Sequence, residues 1–134
     1  MDNALIRIMG IRITNLKNVS SGEISFTNDP ENSKASTLGL FGQNGSGKTV
    51  LIDALEVLKD VLSGKSVPSR YVDYINVDAE YAHLAFKFLI QFENKKIEAF
   101  YEFSLGKEQD PSDGSYRIRI FDEILKYLIL SGKN

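Results

Sequence analysis

Apolar and polar positions alternate along most of this chain, and the period of the alternation changes twice, to a helical one and back. From Ala4 to Thr14 leucines and isoleucines dominate, with Arg7 and Arg12 breaking the run. That pattern predicts a strand with one partly solvated face. Asn15 to Ser21 is polar and predicts a turn; Gly22-Glu23-Ile24-Ser25-Phe26 then alternates again, completing an antiparallel pair. Asn28 to Ser36, with Asp29-Pro30, predicts a surface loop, and the apolar run Leu38-Gly39-Leu40-Phe41 a buried strand. The period then becomes helical. Leu51, Leu55, Leu58 and Leu62 recur at three- and four-residue steps, with Asp53, Glu56, Lys59 and Asp60 largely opposite. Ser63-Gly64 supplies the helix stop.

Lys65 to Asp78, carrying Pro68, Tyr71 and Tyr74, follows neither period. The period of two returns in Ala82, Leu84, Phe86, Phe88, Ile90 and Phe92, breaks at Glu93-Asn94-Lys95-Lys96, and resumes in Ile97, Ala99, Tyr101, Phe103 and Leu105. This predicts a hairpin with one apolar face. Gly106 to Gly114 reads as a polar loop and Tyr116 to Ile120 as another alternating strand. Ile124 to Leu130 fits either strand or helix, since its length and Asp122 as an N-cap leave both open.

Between the predicted buried strand and the predicted helix lies Gly42-Gln43-Asn44-Gly45-Ser46-Gly47-Lys48-Thr49, which fits the phosphate-loop pattern G-x-x-x-x-G-K-[ST] at every fixed position. The glycines let the backbone curl so that successive N–H groups point at a polyphosphate. Lys48 is placed to reach the β- and γ-phosphates, and the Thr49 hydroxyl to ligate Mg²⁺. A helix starting there adds orphan N–H groups and a favourable dipole. ATP or GTP with Mg²⁺ is the expected ligand.

Composition narrows the setting. The 134 residues are enough for one domain, 1–134, and the balance of 43% hydrophobic with 25% charged is that of a soluble globular protein. There is no cysteine, hence no disulfide framework or thiolate metal site. No apolar run is long enough to span a bilayer, and Met1-Asp2-Asn3 lacks the basic opening of a signal peptide, so a cytoplasmic location is expected. The net charge of −2 speaks against a strongly basic nucleic-acid surface while leaving room for local patches.

The order of elements separates kinds of phosphate-loop protein. A small-molecule kinase or GTPase usually returns to a parallel strand soon after the first helix. Here antiparallel strands precede the loop and follow the helix. The fold expected is therefore α/β, a P-loop NTPase half-domain whose mixed sheet carries an antiparallel β subdomain, with one main helix after the loop.

Ile11-Arg12-Ile13-Thr14-Asn15-Leu16-Lys17-Asn18, then a strand, then Gly39 to Thr49 and Leu51-Ile52-Asp53-Ala54-Leu55, resembles the start of an ATP-binding-cassette head. The branch is that of RecF, the structural-maintenance-of-chromosomes proteins and the overcoming-lysogenization-defect nucleases; many bacterial AAA-family ATPases of defence systems are similar. Tyr116 to Leu125, with Glu123 and Leu125, resembles the E-x-L strand of these heads. The resemblance implies ATP and Mg²⁺ as ligands, a basic residue near the nucleotide at Lys17, Lys48 in catalysis, and a second ATPase head as partner. It further implies a role on DNA in repair, chromosome handling or anti-phage defence. The family's second half, with its signature motif and Asp-Glu pair, is not found, so the chain is expected to be an N-terminal portion, inactive in hydrolysis by itself.

Three segments imitate the missing half. Arg117-Ile118-Arg119-Ile120-Phe121-Asp122-Glu123 ends in Asp-Glu, yet its two arginines do not suit a strand buried on both faces; a half-exposed strand leading to a turn is expected. Leu62-Ser63-Gly64 and Leu130-Ser131-Gly132 imitate a Leu-Ser-Gly-Gly-Gln signature, but Lys follows each. Gln91 and Gln109 sit mid-strand and in a loop, unsuited to Mg²⁺. His83 falls on the polar side of its strand with Lys87 and Gln91 and is expected to be solvated, Phe86 to Phe92 to be core, and Tyr71 and Tyr74 to pack. Two other readings stay open: a stand-alone phosphotransferase with Asp122 or Glu123 completing the metal site, and a non-catalytic nucleotide-binding module.

Overall fold

The alternating stretches become five strands in the computed structural model, which describes residues 4–17, 19–25, 45–75 and 79–131. They are β1 (Ala4–Leu16), β2 (Val19–Ser25), β3 (Tyr81–Phe92), β4 (Lys95–Gln109) and β5 (Tyr116–Ser131). Between β2 and β3 run helix α1 (Gly45–Ser63) and a 3₁₀ helix (Ser69–Tyr74). The strands form one sheet in the order β2-β1-β3-β4-β5.

Every neighbouring pair in that sheet is antiparallel, which overturns the mixed α/β sheet expected from the sequence. The connections explain it. β1 and β2, β3 and β4, and β4 and β5 are joined by connections too short for a parallel crossover. The one long connection, through α1, brings β3 to the free edge of β1 and again antiparallel to it. The strands' alternation of one apolar and one polar face is also what a sheet covered on a single side requires. The predicted strand Leu38–Phe41 lies outside the described residues.

Several boundaries also move. The turn expected over Asn15–Ser21 shrinks, because Thr14 pairs with Ser21 and Leu16 with Val19. Glu93-Asn94 alone turns the β3–β4 hairpin, with Glu93 at φ 55°, and Lys95 already pairs with Phe92. The polar loop expected from Gly106 starts only after Gln109. Gly106 itself is buried in the ladder beside Phe121, whose ring lies 2.9 Å from where a Cβ would stand. The ambiguous segment Ile124–Leu130 is strand, continuous with Tyr116 onward. Where Asp122 and Glu123 together oppose Phe103, a bulge with Asp122 at φ 54° absorbs the extra residue without ending the strand.

α1 lies across the inner face. Its buried positions are Val50, Ala54, Val57 and Leu58, joined by the half-buried Leu51, Leu55 and Val61. Leu62 is 63% exposed. The face that packs is thus centred on the smaller residues 50, 54, 57 and 61, about one residue round from the leucine row. Against it stand Ile11, Ile13 and Leu16 of β1, Ile24 of β2, Leu84 and Phe86 of β3, and Phe103 and Leu105 of β4. The helix ends as predicted at Gly64. Its φ of 75° lets Lys65 N donate to Asp60 O at 2.9 Å and Gly64 N to Val61 O at 3.2 Å, a Schellman closure. The 3₁₀ helix occupies the stretch that showed no period, burying Tyr71 completely with Tyr74 edge-on at 4.9 Å.

Candidate functional site

α1 begins inside the phosphate-loop motif. Gly45, Ser46, Gly47 and Lys48 form its first turn, and Thr49 follows as an exposed residue. A helix N-terminus has four N–H groups without an intrahelical partner and a positive partial charge. Gly42, Gln43 and Asn44 lie outside the described residues. Among the described residues no group of histidines and carboxylates could hold a metal by itself, and no helix is long and apolar enough to cross a membrane.

Lys17 sits at the tip between β1 and β2 and is fixed from three sides. Its backbone N–H donates to Tyr74 O at 2.5 Å, its ammonium stands 4.3 Å from the centre of the Tyr74 ring, and Nζ is 2.5 Å from Asp53 Oδ2. The side chains are 24% exposed for Lys17 and 15% for Asp53. Asp53 Oδ2 is buried and, among the described residues, meets no hydrogen-bond donor at a good angle, so Lys17 is the one charge there that compensates it. The tip's backbone is unusual: Asn15 has φ 60° and Lys17 φ 53°. Asn tolerates the left-handed region; a Lys there costs about 1 kcal/mol, which the surrounding contacts must offset. Asn15 Nδ2 in turn donates to Tyr81 O at 3.4 Å.

Asp53 is the residue that the sequence pattern misplaces. The leucine row set it on the solvent side, whereas the observed face centred on Val50, Ala54 and Val57 turns it to the sheet's edge, against Lys17. A signal was present: Val50, Ala54, Val57 and Val61 keep an unbroken helical period that favours this face over the leucine one. Burial, and after it the nearby Asp53 charge, push the Tyr71 hydroxyl above its ordinary pKa. Arg70 lies over the Tyr71 ring at 4.9 Å and 3.7 Å from Glu56, closing the 3₁₀ helix onto α1.

The remaining candidates fall into structural roles. Glu123 accepts a hydrogen bond from Tyr101 Oη at 2.6 Å, and Asp122 forms the bulge. Leu62-Ser63-Gly64 closes α1, with Ser63 Oγ donating to Lys59 O at 2.6 Å. Leu130 and Ser131 end β5, and Gly132 lies outside the described residues. Gln109 Nε2 donates to Gly114 O at 3.0 Å across the β4–β5 turn, and Gln91 is mid-strand. His83 is better held than its polar pattern suggests, 2.8 Å from Ser104 Oγ through Nδ1 and 3.6 Å from Glu102 through Nε2. Phe86 is core with Phe88 packed beside it, and Tyr71 packs as expected.

Residues 38–130 match the family described as "AAA domain, putative AbiEii toxin, Type IV TA system". The match starts at the predicted strand before the phosphate loop and runs to the end of β5, covering most of the chain. No curated protein matches, and no solved structure does.

Proposed function

The chain belongs to this AAA-domain family, and from that premise we propose that residues 42–49 bind the triphosphate of ATP with Mg²⁺. The observation that carries the reading is the start of α1 at Gly45, inside the motif, so that Lys48 and Thr49 fall in the helix's first turns. In this reading Gly42, Gln43, Asn44, Gly45, Ser46 and Gly47 contribute backbone N–H groups, Lys48 meets the β- and γ-phosphates, and Thr49 ligates the metal. Lys17 is the basic residue beside the nucleotide. Bound Mg²⁺ would neutralise charge developing on the phosphates during hydrolysis.

At the finer level, the chain is the nucleotide-binding portion of an ABC-type head of the RecF and chromosome-maintenance kind. Lys48 takes part in hydrolysis once a second half completes the site, and nucleotide binding brings two heads together. Of the settings compatible with that reading, the toxin–antitoxin system named in the family description favours anti-phage defence over repair or chromosome handling. DNA is the partner such a machine would act on. A self-sufficient phosphotransferase, with Asp122 or Glu123 completing its metal site, is the weaker reading, because Glu123 is engaged by Tyr101 and Asp122 sits in the β5 bulge.

Calorimetric titration of MgATP into the wild-type chain and into Lys48→Ala tests the proposal. Saturable heat in the wild type, lost by the variant, is the expected result. Equal heats in both proteins would refute it.

A further inference from the structure

The pairing of Lys17 with Asp53 has no evident purpose in packing alone. A carboxylate turned toward the core side of a helix loses hydration, and an ion pair there often stabilises no more than apolar residues of the same shape. The pair is nonetheless held with unusual care. The backbone at Lys17 is left-handed, its N–H is tied to Tyr74, the Tyr74 ring lies against its ammonium, and among the described residues Asp53 Oδ2 meets no other cation. Asp53 follows Thr49 by four residues, so both lie on one face of α1, about 6 Å apart along its axis.

We infer that Asp53 is a positioning residue of the nucleotide site, holding the Lys17 ammonium on the same face of α1 as Thr49, one turn further along, from where it can reach toward a bound phosphate. The inference rests on the nucleotide reading above. An ammonium carries three N–H donors, and Asp53 engages it from one side only, leaving capacity for a phosphate oxygen. Without Asp53 the four-carbon stem of Lys17 would have to be ordered each time ligand binds, which weakens binding about three- to tenfold. The two residues are not equivalent, however. Losing Lys17 leaves the Asp53 charge uncompensated one helical turn beyond Thr49, whereas losing Asp53 leaves a cation held only by the Tyr74 ring. Lys17→Met is therefore the more damaging change, and adding Asp53→Asn to it removes that charge.

MgATP affinity of the wild type, Asp53→Asn, Lys17→Met and the double variant tests this, with circular dichroism establishing the folded fraction of each. Expected is a three- to tenfold weakening in Asp53→Asn, a larger one in Lys17→Met, and tighter binding by the double variant than by Lys17→Met. A purely structural pair would shift the melting temperature and leave affinity per folded molecule unchanged, overturning the inference. Losses that simply multiply in the double variant would overturn it too. If Asp53→Asn binds like wild type while Lys48→Ala does not bind, the inference fails and the nucleotide reading survives. No binding by the wild type removes both.

Discussion

Tyr101 shows how burial and a cross-strand contact together raise a titration. Its hydroxyl donates to Glu123 at 2.6 Å, and its ring packs at 5.4 Å from Phe103. Burial first, then the hydrogen bond to a carboxylate, push the phenol up to about 12 from its ordinary 10. Because the folded value exceeds the unfolded one, the stabilisation is complete below pH 10 and is lost as pH rises toward 12. A phenolate absorbance titration should show one tyrosine ionising about two pH units late, and Glu123→Gln should bring it back toward the others. The same residues show what a sequence conceals. Asp122 and Glu123 look like a strand end because polar residues and a predicted turn coincide there. Whether the chain bends or bulges depends on the register of β4 opposite, a tertiary fact. Gly106 was misjudged for a similar reason: polar neighbours suggested a loop, while pairing with Tyr81 and Arg119 keeps it in the sheet.

At the scale of the element, α1 divides into what local sequence decides and what it does not. Its existence, its period and its stop at Ser63-Gly64 follow from short-range preferences. Its rotation about its own axis does not, since two apolar rows lie side by side and only packing on the sheet selects one. The site residues divide along the same line. The phosphate-loop motif is written in consecutive residues and is legible at once. The Lys17–Asp53 pair joins residues far apart in the chain, and reading it requires the helix face to be known. The Schellman closure offers a clean local test, because no atom lies within 4 Å of a Cβ built on Gly64. Gly64→Ala therefore changes backbone strain alone. Urea denaturation should register a loss of about 1 kcal/mol, with the slope of the transition unchanged.

For the whole molecule the decisive feature is the uneven cover of the sheet. α1 and the 3₁₀ helix shelter the half of the inner face built from Ile11, Ile13, Leu84, Phe103 and Leu105. The other half stays open, with Ile6, Leu125, Tyr127 and Ile129 each more than half exposed on it. β5 is also an edge strand, so its outer side presents backbone donors and acceptors next to that apolar surface, and Lys126 is the one charge from Ile124 to Leu130. Self-association that rises with concentration is expected in sedimentation velocity. Leu125→Lys combined with Ile129→Glu should suppress it while changing folding stability by no more than about 0.5 kcal/mol, since both positions are exposed. The sheet order has a consequence for biogenesis as well. β1 leaves the ribosome first yet occupies an inner position, and Ile11 waits for Phe86, about 75 residues downstream. At ordinary translation rates that gap lasts roughly 4 to 15 s. Throughout it, the side of β1 that β3 will cover lacks its neighbour, which makes this interval the time when a nascent-chain chaperone has most to bind.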